Sequence, residues 1–494
     1  MRILFLSAEV SPFAKTGGLA DVLQALPQAL HARGHDVRIA MPLYSCIDRE
    51  KYQLRLCLPE ISVHFPGRLM LGRVYEGRLP QSPVPVYFIE NPALYDRPQL
   101  YGEDGLDYPD NAMRFGFYQL ACLWMLKGID WSPEIYHCND WQTGLVPLFL
   151  RRHHVFGSDP FFAGSRSLYT IHNLGYLGVF HPTVIQLLGL PADIAHAECM
   201  EFFGGISFMK GGIYYADRIS TVSEQYAREI LTPEFGCGLE GYMQFLDRLP
   251  VGILNGVDYS IWNPETDPAL FKNYDIKSLE QKEACKADLL NSLGWPVHLS
   301  TPLVGMISRL DAQKGLDLIE KALPKLIKTG AKFVFLGSGD PAYQEMLLAA
   351  QTKYPDQVHA HIGFNAELAH RIEAGVDAFL MPSRYEPCGL NQMFSLKYGT
   401  IPIVRHTGGL ADTVQDMSAH AIAEGHANGF VFEEYSVQAL VDTVKRALEY
   451  YRNDKKSWRV LQINGMRRNF SWDRSAELYE KLYHEMHMNP SRAI

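Results

Sequence analysis

Six residues occur twice in this chain: Thr16-Gly17-Gly18-Leu19-Ala20-Asp21 near the start and Thr407-Gly408-Gly409-Leu410-Ala411-Asp412 near the end. Each copy follows a short apolar run, residues 3–6 and 401–404, and each leads into a helical pattern. Paired glycines that open a helix offer backbone N–H groups at the positive end of a helix dipole, which attracts anions. Either copy alone reads better as ordinary turn chemistry at a helix start, since short glycine motifs have many false positives. The pair, with Lys15 and His406 beside the two copies, predicts one phosphate-facing turn in each half of the chain.

A chain of 494 residues is too long for one hydrophobic core, so two domains are the default. Apolar runs of strand length alternate with helical patterns throughout: 37–41, 84–89, 135–138 and 167–171 in the first half, and 303–308, 333–336, 358–361, 378–381 and 401–404 in the second. Such runs predict parallel strands covered on both faces. The expected fold class is therefore α/β, with two Rossmann-like doubly wound domains facing a cleft. Their ligands are expected at the carboxyl ends of the strands. The expected boundaries are 1–255 for the first lobe and 256–475 for the second, with 476–494 as a helix packing back on the first. Residues 253–258 read as a strand ending in the Asn255-Gly256 turn, and 278–293 as a linking helix.

The formal net charge of −9 argues against a nucleic-acid or membrane partner. No run approaches the ~18 apolar residues of a membrane span, and the short run at the start reads as a first strand. None of the 8 cysteines forms a C-x-x-C pair, which predicts neither a zinc site nor a redox motif and fits a reducing cytoplasm.

An anionic ligand on an acidic chain needs locally placed cations. Arg309 and Lys314 stand where the run at 303–308 leaves its strand for a helix. An arginine fork and a compact lysine charge together suit the oxygens of a departing diphosphate. Glu386, in Arg384-Tyr385-Glu386-Pro387-Cys388-Gly389-Leu390, is a carboxylate near another helix start, suited to sugar hydroxyls or to positive charge developing at an anomeric carbon. Cys388 reads as a packing residue or backbone donor. His172 and Asn173 follow the run at 167–171, while Asn139, Asp140 and Trp141 follow that at 135–138, placing polar groups on the same predicted edge. Tyr95 and Trp141 are candidate stacking platforms for a sugar. Gly337-Ser338-Gly339-Asp340-Pro341-Ala342 matches a dinucleotide fingerprint, but its strand is not the first of its lobe and no ribose-binding carboxylate follows. A metal-bridged nucleotide-sugar site would carry a D-x-D string, and the chain has none.

Taken together, these strings resemble bacterial glycogen synthases and plant starch synthases over nearly the whole chain. The resemblance rests on Lys15 through Val22, Ile171-His172-Asn173-Leu174, Asn255-Gly256-Val257-Asp258, Ser308-Arg309-Leu310 with Lys314-Gly315, Glu386 through Leu390, and Thr407 through Leu410, continuing to the Phe470-Ser471-Trp472 region. It implies a GT-B glycosyltransferase that moves glucose from ADP-glucose to an α-1,4-glucan, glycogen or maltooligosaccharide, with retention at the anomeric carbon and with neither metal nor cofactor. By the family pattern Lys15 contacts the donor, and Gly17, Gly18 and Asp21 beside it are substrate-binding candidates. Arg309 and Lys314 hold the diphosphate, Glu386 lies beside the donor sugar and His172 near its primary hydroxyl. Tyr95, Asn139, Asp140, Asn173, Asn255, Cys388, Gly389, Leu390, Thr407, Gly408 and Gly409 are the remaining substrate-binding candidates. Leu177 replaces a family glutamine and Asn139 a family histidine, and both departures bear on the acceptor side.

The alternatives within reach of the sequence are UDP-glucose as the preferred donor, a phosphorylase-like pyridoxal phosphate enzyme, and a non-catalytic glucan-binding homologue. No lysine context supports the second. A leaving-group clamp has no use in the third.

Overall fold

The computed structural model describes residues 1–103 and 105–488. The chain divides into two compact units. The N-terminal unit comprises Met1–Val222, Ala227–Gly256 and the stretch beginning at Trp472, while Ser223–Tyr226 and Val257–Ser471 form the C-terminal unit. The crossing therefore falls after Gly256 and the return at Trp472, four residues earlier than the sequence suggests. Packing accounts for the position of the return. A Cβ on Gly256 would lie 2.6–2.7 Å from the backbone and ring of Trp472, so the departing and returning strands of chain meet where one has no side chain. The tail forms a helix over Trp472–Met488, and residues 489–494 lie outside the described residues.

The N-terminal unit is built on a nine-stranded sheet: β1 (Arg2–Leu6), β2 (Asp36–Pro42), β3 (Arg55–Phe65), β4 (Arg68–Arg78), β5 (Pro85–Glu90), β6 (Ile135–Asn139), β7 (Arg166–Ile171), β8 (Arg218–Thr221) and β9 (Val251–Gly252). Its order is β9-β8-β7-β6-β1-β2-β5-β4-β3. All neighbours are parallel except β4 with β5 and β3 with β4, which are antiparallel. The sheet is thus mixed, against the all-parallel expectation. Strand β4 alternates exposed and buried residues, the pattern of a sheet face left to water. The strand expected at 253–258 does not form: the short strand β9 ends at Gly252, and beyond it the Leu254 carbonyl accepts the Ser475 hydroxyl (2.6 Å) instead of a neighbouring strand.

The C-terminal unit holds a fully parallel six-stranded sheet: β10 (Leu303–Ile307), β11 (Lys332–Gly337), β12 (Val358–Ile362), β13 (Ala378–Met381), β14 (Ile401–Arg405) and β15 (Phe430–Phe432). The order β12-β11-β10-β13-β14-β15 reverses direction between β10 and β13, the switch point at which an open α/β sheet presents a crevice. The Leu316–Ile327 helix after β10 buries Leu316, Ile319, Leu323 and Leu326, a helical stripe facing the sheet. A buried charge fixes how β10 starts. The Lys286 ammonium donates to Asp377 (2.6 Å), to the Leu299 and Thr301 carbonyls (2.8 Å each) and to the Tyr451 hydroxyl (2.9 Å). Asp377 in turn accepts the Leu303 amide (2.8 Å).

In the N-terminal unit the tail helix is tied to the sheet through His137 on β6. Its Nδ1 is paired with the Tyr483 hydroxyl (2.8 Å) and its Nε2 with Thr170 Oγ1 (2.6 Å), which also meets Ser220 Oγ (2.7 Å). Burial holds the His137 imidazole well below its ordinary titration range. Above about pH 6.5 both folded and unfolded states carry it neutral; below that, the unfolded chain takes up a proton that the folded state refuses. Stability should therefore fall as pH drops from 6.5, by up to about 1.4 kcal/mol per pH unit for this group. Urea midpoints taken at pH 7.5 and 5.5 should show the loss, and His137→Gln should flatten the slope by about one proton. Equal slopes for both proteins would remove His137 as the cause.

Candidate active site

At the switch point of the C-terminal sheet, the loop leaving β10 carries Ser308 through Gly315. Asp311 accepts the Lys314 amide (3.0 Å) and so turns the chain before the helix. Gly315 takes a left-handed φ of +81°, and a Cβ there would stand 2.2 Å from the Pro382 carbonyl oxygen. The turn thus lies directly against the end of β13. This brings the Lys314 ammonium to both carboxylate oxygens of Glu386, at 2.8 and 2.6 Å. The Glu386 side chain is 7% exposed and that of Lys314 18%. Ser383 Oγ donates a further bond to Glu386 (3.0 Å). Arg309 is 47% exposed, with one nitrogen 3.3 Å from Asp311 and another donating to Gln313 Oε1 (3.1 Å). A half-buried lysine, an open arginine fork and a buried carboxylate thus share one strand-end crevice.

The turn after β14 builds the floor. The Gly409 amide donates to the Glu386 and Pro387 carbonyls (3.1 and 3.2 Å). A Cβ on Gly408 or Gly409 would meet the Glu386 or Cys388 carbonyl oxygen at 2.0 Å. The second glycine pair therefore serves close backbone packing beneath Glu386. Thr407 and Cys388 are buried, while Gly389 and Leu390 remain half-exposed at the start of the Asn391–Lys397 helix. Gly337 and Gly339 also serve packing: their Cβ atoms would strike the Ser308 and Leu310 carbonyl oxygens at 1.9 and 2.5 Å.

The first glycine pair is used differently. Among the described residues, no atom beyond the adjoining backbone lies within 4 Å of where a Cβ on Gly17 or Gly18 would stand, so this turn is open. Two of its amides are nonetheless taken, because Thr16 N and Gly17 N donate to the buried carboxylate of Glu9 (2.5 and 3.1 Å). The sequence pattern does not single out Glu9; its one signal is an acidic residue three positions after the apolar run that opens the chain. Lys15 is ion-paired to Asp21 (2.6 Å), whose carboxyl is pushed up by burial against the pull of that lysine.

At the carboxyl ends of β6 and β7, Asp140 holds a φ of +55°, an uncommon conformation that costs of order 1–3 kcal/mol. Its carboxylate accepts the His172 amide (2.7 Å). Burial pushes the Asp140 carboxyl up to about 7, although the His172 and Asn173 amides favour its ionised form. Burial lowers His172 to about 3, so the ring is neutral. Asn139 donates to the Leu6 and His137 carbonyls (3.0 and 3.1 Å), which leaves its Oδ1 to accept from His172 Nε2 (2.9 Å). The acceptor nitrogen Nδ1 then remains for other partners. Asn139 is thus a buried orienting group for His172, not a side chain that faces a ligand. Asn173 Oδ1 accepts the Gly175 amide (2.9 Å), and Leu177 is half-buried.

Tyr95 departs from its expected role. It is 0% exposed, and its hydroxyl donates to the Arg114 carbonyl (2.8 Å), so it offers no face for sugar stacking. Trp141 is likewise buried, edge-on to Phe115. Asn255 is buried, and its Oδ1 has no hydrogen-bond partner among the described residues.

Residues 2–245 match the family described as "Starch synthase catalytic domain", and residues 296–459 match "Glycosyl transferases group 1". Glycogen synthase from Anaeromyxobacter dehalogenans is 48% identical over 98% of this chain and 99% of its own. Glycogen synthase 2 from Geobacter sulfurreducens is 45% identical over 98% of each. Among solved structures, the catalytic domain of starch synthase IV from Arabidopsis thaliana, bound to ADP and acarbose, superimposes with a TM-score of 0.89 at 34% identity and covers 99% of both chains. The chain belongs to the bacterial glycogen synthase family, glycosyltransferases of GT-B fold that transfer glucosyl units to a glucan.

Proposed function

We propose that this enzyme transfers glucose from ADP-glucose to the non-reducing 4-hydroxyl of an α-1,4-glucan, with retention and release of ADP, in the cytoplasm. The observation that carries this reading is the Lys314–Glu386 pair at the switch point, with Arg309 alongside. Lys314 and Arg309 neutralise the diphosphate as it leaves, a preorganised electrostatic effect. Glu386 holds sugar hydroxyls and offsets positive charge developing at the anomeric carbon. The 407–409 turn supports that carboxylate from below. Lys15 contacts the donor, with Asp21 as its resting partner. His172 accepts from the primary hydroxyl of the sugar, and Asp140 and Asn255 bind polar groups of the substrates. No side chain is evident as a covalent nucleophile, so retention follows a same-face path. In it the leaving phosphate takes the acceptor's proton as the glycosidic bond forms.

Lys314→Ala should lower turnover by about 2–4 kcal/mol of barrier, by analogy with removing one oxyanion donor. Steady-state kinetics with a maltooligosaccharide acceptor measure it, and a turnover near wild type would remove Lys314 from leaving-group stabilisation.

Asp140 titrates in the assay range. If its carboxylate is the binding form, kcat/KM should fall as pH drops through about 7. Asp140→Asn should flatten that limb while lowering its plateau. An unaltered acid limb in the variant would assign it to another group.

The test of the whole reading is glucose incorporation into glycogen from ADP-glucose and UDP-glucose side by side, with and without a chelator. Faster transfer from ADP-glucose that survives chelation is the expected result. Preference for UDP-glucose would change the donor. Incorporation from neither, with glucan binding intact, would make the protein a binder.

A further inference from the structure

Glu9 follows β1 and is 4% exposed. Its carboxylate accepts four hydrogen bonds: from Thr16 N (2.5 Å), Thr16 Oγ1 (2.6 Å), Gly17 N (3.1 Å) and the Tyr101 hydroxyl (2.6 Å). A carboxylate has about four acceptor positions, and here all are filled. The root of the side chain is equally fixed. Ser7 Oγ donates to the Glu9 carbonyl (2.7 Å) and accepts its amide (3.1 Å), while the Ser7 amide donates to the Tyr118 hydroxyl (3.0 Å). Tyr101 is anchored from its other side, since Asn111 donates to its carbonyl (2.8 Å). Three of the four donors to Glu9 come from the two residues immediately after Lys15. The Lys15–Asp21 ion pair (2.6 Å) adds a second tie, while Gly17 has no side-chain cap and, among the described residues, the space over Gly17 and Gly18 is open.

We propose that Glu9 is a positioning residue for Lys15: its buried carboxylate occupies the amides of the first glycine turn and so fixes the direction from which Lys15 reaches the donor. The inference rests on the reading of Lys15 as a donor contact. It also gives the two hexapeptide copies distinct roles, because in the first copy an internal carboxylate, not a ligand phosphate, sits on the Thr16 and Gly17 amides. Without it those donors are orphaned and the turn loosens. Displacing a catalytic-site group by about 1 Å can cost on the order of 100-fold.

The test is a double-mutant cycle in the full-length enzyme. Glu9→Gln keeps the shape but brings an amide donor against Thr16 and Tyr101. It should lower kcat/KM for ADP-glucose roughly 10- to 100-fold, with the acceptor KM little changed. In a Lys15→Ala background the same change should cost less than about threefold, because the group it positions is gone. Tyr101→Phe removes one donor while keeping the ring, and should show a smaller loss that also vanishes in the Lys15→Ala background. It decides the matter if Glu9→Gln does not fold. Equal losses in both backgrounds would make Glu9 a general stabiliser and overturn the proposal, as would full activity of Glu9→Gln beside a crippled Lys15→Ala enzyme. Full activity of Lys15→Ala alone would instead overturn the donor-contact reading, and this proposal with it.

Discussion

The close approach of loop backbones at the carboxyl edge of the C-terminal sheet is the constraint on which that unit's site depends. Gly315 lies on the Pro382 carbonyl, Gly337 on that of Ser308, and Gly409 on that of Cys388. In each case a single methyl group would force two main chains apart. Glu386 and Lys314 are therefore brought together by backbone packing and not by their mutual attraction. That distinction matters because an ion pair largely removed from water gains little net stability, its desolvation offsetting most of the Coulomb term. The fold supplies the geometry, and the pair keeps two opposite charges apart from bulk water and ready for a substrate that carries both a diphosphate and a sugar.

The repeated hexapeptide shows how one local sequence serves two physical ends. In both copies a threonine and two glycines open a helix, and an aspartate follows three positions after the second glycine. Asp21 receives the Lys15 ammonium, whereas Asp412 receives the Gln225 amide (2.9 Å). Gly17 is extended, with φ −150°, and faces open space; Gly408 is left-handed, with φ +45°, and is pressed on a carbonyl. Backbone amides that a sequence reading offers to a ligand are answered from within the chain in both cases, by a carboxylate in the first and by carbonyls in the second.

The strands 303–307, 332–337, 378–381 and 401–405 were legible because burial on both faces leaves an unbroken apolar run. The β3–β4 hairpin was missed for the converse reason. Its alternating half-buried pattern is weaker, and only the Pro66-Gly67 dipeptide between the strands marks it. The crevice residues of the second half announce themselves because chemistry and position coincide there: Arg309, Lys314 and Glu386 all sit in loops directly after strands. Asn139 and Tyr95 misled because what fixes them lies outside any local pattern: the Tyr95 hydroxyl is taken by the Arg114 carbonyl, 19 residues on. The Leu6 carbonyl that fixes Asn139 is 133 residues distant, and no local pattern reports it. Glu9 escaped for a different reason: three of its four donors come from Thr16 and Gly17, close in sequence, but no motif reports what a carboxylate accepts.

The two units handle charge in opposite ways, and the proposed chemistry gives each a reason. In the N-terminal unit burial keeps His137 and His172 neutral, and Asn139 consumes the Nε2 proton of His172. What remains is an acceptor nitrogen without formal charge, suited to a sugar hydroxyl. A protonated imidazole beside a glucosyl group would oppose the positive charge that develops as the bond to phosphate breaks, so the depressed titration of His172 removes an electrostatic penalty from the transition state. In the C-terminal unit the cations are retained, Arg309 exposed and Lys314 held by Glu386, where the proposed reaction gathers negative charge on the leaving group. Each unit thus presents the charge state that favours separation of glucosyl from diphosphate.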